Sequence, residues 1–243
     1  MSRKRWLLVL VAGFLCAFLF WPCIVTIRDG EGWVRTTGSI RQVGIAIQNY
    51  HDTYGHLPPA VVRDKDGQPL YSWRVAILPF LEQNALYEKF RLNEPWDSPH
   101  NKPLSLSTPK CYQPHGGGRD PDGLTRYQVL VGPGTAFERP GLTWNDFPDG
   151  LGSTILVVES GDPVPWSKPV DLSYDPAGPL PPLGAGYTKP VHFFCREVAR
   201  RPGFAVCFAD GRGRFIQSPT DERTLRALIT RDGCEPVDVA GLK

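Results

Sequence analysis

The chain has 243 residues, enough for one domain with its own core, and its 25 glycines and 25 prolines suit many turns and short strands better than a helical bundle. A hydrophobic content of 41% excludes wholesale disorder. The formal charge of +2 is set by Arg3, Lys4 and Arg5: the 27 basic residues less these three leave 24 against 25 acidic ones, which excludes a basic nucleic-acid footprint.

Trp6 to Ile27 carries no charge. At roughly 20 residues an apolar run is long enough to cross a bilayer as a helix. The basic cluster precedes it and Asp29 and Glu31 follow, an asymmetry that places the N-terminus inside and the remainder outside the cytoplasm. The run ends in Phe20, Trp21 and Pro22 without a small-x-small cleavage site, so it reads as an uncleaved anchor rather than a signal peptide. The expected organisation is a transmembrane anchor at 1–28, a linker at 29–38 and an extracytoplasmic domain at 39–243. The chain then sits in the cytoplasmic (inner) membrane as a single-pass protein.

In the domain, Ile40, Val43, Ile47, Tyr50 and Tyr54 recur at three- and four-residue steps, predicting an amphipathic helix capped by Thr37 or Ser39 and stopped at Gly55. Tyr71 to Leu78 reads as a strand and Pro79 to Phe90 as a short helix. Residues 91–123 are mostly turns. Tyr127 to Val131 and Ser153 to Glu159 are β-branched strands, and Pro163 to Gly186, with seven prolines, is an extended loop. Phe204 to Phe208 and Arg212 to Ile216 flank Asp210-Gly211 as a hairpin. A last helix is expected to start at a Ser218 cap, with Pro219 in its first turn and Asp221 completing a capping box, and to end at Gly233.

Chemistry-bearing residues are sparse. Beyond the apolar segment lie Cys111, Cys195, Cys207 and Cys234; four cysteines in an exported domain favour at least one disulfide and leave three pairings open. The spacing of His51, Asp52 and His56 on a helix end does not form a metal pair, and His51 is expected to meet terminal carbonyls. Asp97 and His100 lie in a turn-rich stretch where a cation site competes with simple turn hydrogen bonds. Gly116 to Gly118 lacks the lysine and hydroxyl of a phosphate loop, and Ser160 lacks the first glycine of a nucleophile elbow. Glu159 and Asp162 read as the polar end of a buried strand. No catalytic residue, metal or cofactor is assigned. The aromatic residues Trp73, Trp96, Trp144 and Trp166, read as loop residues, motivate a ligand-binding alternative. The candidate binding set is Trp73, Trp96, Asp97, His100, Trp166 and Asp210.

Several stretches together resemble a known family. Gly44-Ile45-Ala46-Ile47-Gln48-Asn49-Tyr50-His51-Asp52-Thr53-Tyr54-Gly55-His56-Leu57-Pro58-Pro59 is similar to the opening signature of a large planctomycete family of pilin-like proteins of unknown function. So are Ser72-Trp73-Arg74-Val75, Leu78 to Gln83, Asn93 to Asn101, Val131 to Phe137, Asp162 to Trp166 and Phe208-Ala209-Asp210-Gly211. The resemblance implies a type IV pilin-like layout, in which a hydrophobic helix leads into an amphipathic helix and then an antiparallel β-domain. It supplies no activity. Two features depart from it. Gly13-Phe14-Leu15-Cys16-Ala17 is the nearest approach to a prepilin leader and lacks the leader's glutamate, which leaves leader processing and assembly as a pseudopilus subunit open. The family's histidine nine residues before the final Asp-Gly is replaced here by Arg201.

The fold class expected is therefore α+β: a transmembrane helix and an amphipathic helix followed by a mainly antiparallel, pilin-like sheet domain. The function expected is structural or interaction work at the cell envelope, without catalysis. Its partners would be the membrane, through residues 6–27, and other envelope or pilin-like proteins, with no nucleic acid. The alternative is an exported module that binds a carbohydrate or small molecule.

Overall fold

The computed structural model describes residues 35–113, 122–184, 188–193, 196–218 and 220–235, together with the backbone but not the side chains of 188–193 and 196–201. The anchor segment 6–27, Cys195 and the triple glycine at 116–118 lie outside the described residues. Among the described residues no helix is long and apolar enough to cross a membrane.

Among the described residues helix α1 runs from 35 to 54, so neither Thr37 nor Ser39 caps it; both lie within it, with Ser39 buried. Its stripe of Ile40, Val43, Ala46 and Ile47 is buried, as the periodicity requires. Burying side chains of this kind contributes about 1.5–3 kcal/mol for each Val or Ile. Gly55 ends the helix at φ 77°, with its N–H bonded to the His51 carbonyl at 2.7 Å. Tyr54 departs from the expected stripe and is 56% exposed.

Strands β1 (Val61–Arg63) and β2 (Pro69–Ser72) form a small antiparallel pair. The chain then turns helical rather than extended: α2 is Trp73–Ala76, capped by Ser72, whose hydroxyl accepts from the Arg74 N–H. The run 71–78 is apolar enough for either state, and the cap decides it. A 3-10 turn (Leu78–Leu81) and α3 (Asn84–Tyr87) share the segment expected as one helix, because Glu82 between them is left-handed at φ 58°. α4 (Asn101–Ser105) follows.

The main sheet is antiparallel. β3 (Leu124–Gln128), β5 (Ile155–Pro165), β8 (Arg196–Phe208) and β7 (Thr188–Phe193) lie in that order, and β9 (Gly213–Gln217) also pairs with β8. The short strands β4 (Leu130–Val131) and β6 (Leu172–Ser173) pair in parallel. β5 runs to Pro165, beyond its expected end, because Leu124 and Thr125 still face Pro165 and Val164 after a register shift in β3. α5 (Glu222–Ile229) begins later than expected. Asp221 is its cap, accepting from the Thr224 N–H, in place of Ser218, and its C-cap is Thr230 rather than a glycine at 233.

The hairpin β8–β9 forms as expected, with Cys207 opposite Gly213 and Asp210-Gly211 at its tip. Helix α1 lies against it. Gly44 makes this possible, since a Cβ there would stand 2.1 Å from the Cys207 Sγ. One helical turn on, Gln48 lies over the tip, where its Nε2 donates to the Ala209 carbonyl at 2.8 Å. The result is an α+β domain whose helix–sheet interface holds the larger core cluster.

Candidate functional site: a polar groove beside an aromatic shelf

The residues singled out from sequence do not form one site. Trp73 and Trp166 are fully buried, and each indole spends its N–H inside the protein. Trp73 Nε1 donates to Asp171 Oδ1 at 3.1 Å, and Trp166 Nε1 donates to the Ser105 carbonyl at 2.8 Å. Both are core residues rather than loop aromatics. Trp96 is half-buried with the Lys168 ammonium 5.9 Å from its ring centroid. Asp97 and His100 are exposed, and His100 Nε2 meets the Lys89 carbonyl at 2.9 Å. Asp210 belongs to the hairpin tip, where its carboxylate pairs with Arg212 at 2.5 Å and accepts the Arg212 N–H at 3.0 Å.

Two other expectations are corrected. Cys111, Cys207 and Cys234 are free thiols, so they form no disulfide. Cys207 is buried under α1, which removes it from any partner. His51 does not cap the helix carbonyls. Its ring stacks on Trp144 with centroids 4.7 Å apart, and its Nε2 accepts the Trp144 N–H at 3.4 Å. Among the described residues no group of three or more histidine, cysteine or acidic side chains is placed to hold a metal.

Two buried polar centres explain the motifs Ser72-Trp73-Arg74 and Asn93 to Asn101. Arg74 is wholly buried and pairs with Asp171 at 2.5 Å. Its guanidinium also donates to the Ser72 hydroxyl at 2.6 Å and the Tyr127 carbonyl at 2.8 Å. Burial pushes the Asp171 carboxyl up, against the pull of Arg74 and of the Val129 and Trp73 N–H donors. Asn101 is the second centre. Its Oδ1 accepts the Arg91 N–H at 3.0 Å, while its Nδ2 donates to the carbonyls of Arg91, Glu94 and Pro95 at 3.0–3.2 Å. Both constellations are inward-facing and spend their hydrogen bonds within the protein, with only the Asp171 Oδ2 left without a partner, as suits a structural role.

A groove of about 640 Å³ lies open to solvent between α1, the 81–89 segment and residues 107–111. Gln42 on α1, Gln83, Lys89, Thr108 and Lys110 supply its polar wall, and Leu81, Leu86 and Pro109 its apolar one. Thr108 is only 9% exposed, yet its hydroxyl has no hydrogen-bond partner. Cys111 also lines the groove, and burial pushes its thiol up to about 12, so it is a neutral wall group rather than a nucleophile. Glu82, the left-handed residue, is the one carboxylate lining it.

An aromatic shelf adjoins this groove along the chain. Tyr50 and Tyr54 are tilted together at 4.5 Å, and Phe80 meets Tyr50 and Tyr54 edge-on at 5.9 and 6.2 Å. Phe80 precedes the groove's Leu81, and Tyr87 follows its Leu86. Desolvation first, then the neighbouring phenols, raises the Tyr50 hydroxyl above its usual range, so the shelf is uncharged at physiological pH.

Residues 39–111 match the model of a family described as proteins of unknown function (DUF1559). The DUF1559 match contains the segments 44–59, 72–83 and 93–101 on which the family resemblance first rests, and it contains every residue of the groove and shelf named above. The later segments 131–137, 162–166 and 208–211 lie beyond it. No curated protein and no solved structure matches the chain.

Groove and shelf escape sequence reasoning for a physical reason. Gln42, Lys89, Thr108 and Lys110 are ordinary surface types far apart in the chain, and only the fold gathers them around one groove. The available signal is Tyr54: an aromatic residue one position before a helix-ending glycine is at the rim of the apolar stripe, not its centre.

Proposed function

We propose that the chain is a single-pass, membrane-anchored and pilin-like domain that serves structure or interaction at the cell envelope, without catalysis. The observation that carries this reading is the course of the chain. The uncharged segment 6–27 is followed, by residue 35, by a helix whose apolar stripe is fixed on an antiparallel sheet. A hydrophobic segment leading into an amphipathic helix clamped on a sheet is the layout that the family resemblance implies. The DUF1559 match over 39–111 supports it without supplying an activity.

The non-catalytic part draws support from how the acid–base residues are used. His100 is engaged by a backbone carbonyl, Asp210 by Arg212, and Glu159 by the Ala205 N–H within the sheet. Alkaline carbonate extraction of membranes from expressing cells tests the anchor. The full chain should stay in the pellet, and a chain lacking residues 6–27 should be released. Release of both would refute the proposal.

A further inference from the structure

We propose that the groove and shelf together form a binding site for an acidic oligosaccharide, a chain of sugar rings bearing carboxylates. The inference goes beyond the envelope role and does not need the anchor, because every residue it uses lies between 42 and 110.

The walls of the groove define the ligand's chemistry. Among the described residues that line the groove, Lys89 and Lys110 outnumber the one carboxylate, Glu82, and leave one positive charge in excess. That balance favours an anion, and it weakens with salt because both lysines are exposed. Gln42 and Gln83 each offer an amide donor and acceptor, the complement of a vicinal hydroxyl pair. Thr108 also lines the groove, with its hydroxyl buried and without a partner. Leu81, Leu86 and Pro109 give the remaining wall the apolar surface that the C–H faces of sugar rings require.

The shelf fixes the length. Tyr54 is 56% exposed and packs against Tyr50 and Phe80, so it offers aromatic surface to a ligand. From Gln42 to Tyr54 is twelve helical residues, about 18 Å at the α-helical rise. A ligand that contacts both the ammoniums and the shelf is therefore an oligomer rather than a single sugar.

Titration calorimetry of the full chain in non-ionic detergent tests the proposal, with trigalacturonate as the acidic probe and maltotriose as the neutral one. Trigalacturonate should bind at least about tenfold tighter than maltotriose, and less tightly as salt rises. The pair Lys89→Gln and Lys110→Gln should lose about tenfold in affinity for the acidic probe, and Glu82→Gln should gain about threefold. Tyr54→Ala, at an exposed position, should weaken the trimer while leaving the melting temperature within a degree or two of the parent. Equal binding of the two trimers, affinity indifferent to the lysine pair, or no binding of either probe would each overturn the assignment. Those failures leave the carbonate-extraction result untouched, so the two proposals fail separately.

Discussion

Glu159 offers the sharpest test of the energetics. The residue is wholly buried on β5, opposite Tyr127 of β3. Its Oε2 accepts the Ala205 N–H at 3.1 Å and its Oε1 has no partner. Loss of solvent pushes its carboxyl up to about 7 from an ordinary 4.5, despite the pull of the Ala205 N–H and of Arg126. The folded state therefore holds the proton more tightly than the unfolded chain. Between pH 4.5 and 7 the folded state binds more protons, so this group's contribution to stability is fully present below pH 4.5 and is lost as pH rises through 7. The gap of about 2.5 pH units, at about 1.4 kcal/mol each, makes the loss about 3 kcal/mol. Glu159→Gln keeps an acceptor for Ala205 and cannot ionise. Urea unfolding of the full-length protein and the variant at pH 4.5, 6, 7 and 8 reads the difference, because every other titrating group is common to both. The variant should gain on the parent by about 3 kcal/mol from the lowest to the highest pH. A difference that stays constant across that range would refute the reasoning.

Three further outcomes follow from the packing. Gly44→Ala should cost about 1–3 kcal/mol by driving a methyl into Cys207, and Gly44→Ala combined with Cys207→Ala should recover much of it; additive losses in urea melts would place the clash elsewhere. Asn101→Ala removes hydrogen bonds to four backbone groups of the 91–95 turn and should lower stability by about 3 kcal/mol, with amide exchange rising across that turn first. Arg74→Met strands the buried Asp171 carboxylate and should cost about 3–5 kcal/mol, whereas Arg74→Met with Asp171→Leu should cost less than the single change; thermal melts of both decide it.

Much of the scaffold is legible in the sequence because it depends on local signals. The stripe Ile40, Val43, Ile47 and the turn Asp210-Gly211 each specify their own element, and both form as expected. Errors arise where two local signals compete. Tyr71 to Leu78 is apolar at every second position and at helical spacing alike, and only the Ser72 cap tips it into α2. Ser218 and Asp221 both suit a helix cap, and Asp221 takes the role. The candidate site was hardly legible. Trp73 and Trp166 looked like ligand contacts because the sequence does not show that Asp171 and Ser105 accept their indole N–H groups. The groove is invisible for the converse reason, since Thr108 becomes notable only when its hydroxyl is buried without a partner. Nothing in the sequence sets Asn101 apart within its turn-rich stretch, and its four hydrogen bonds make it the organiser of the turn.

The central claim, an anchored domain displayed outside the cytoplasm, is tested most directly by protease treatment of intact spheroplasts carrying a C-terminal tag, read together with the intact mass of the membrane-bound product. The account predicts that the tag is digested without lysis and that the undigested chain retains residues 6–27 in the membrane fraction. A tag protected until lysis, or a soluble product beginning after residue 27, would contradict it.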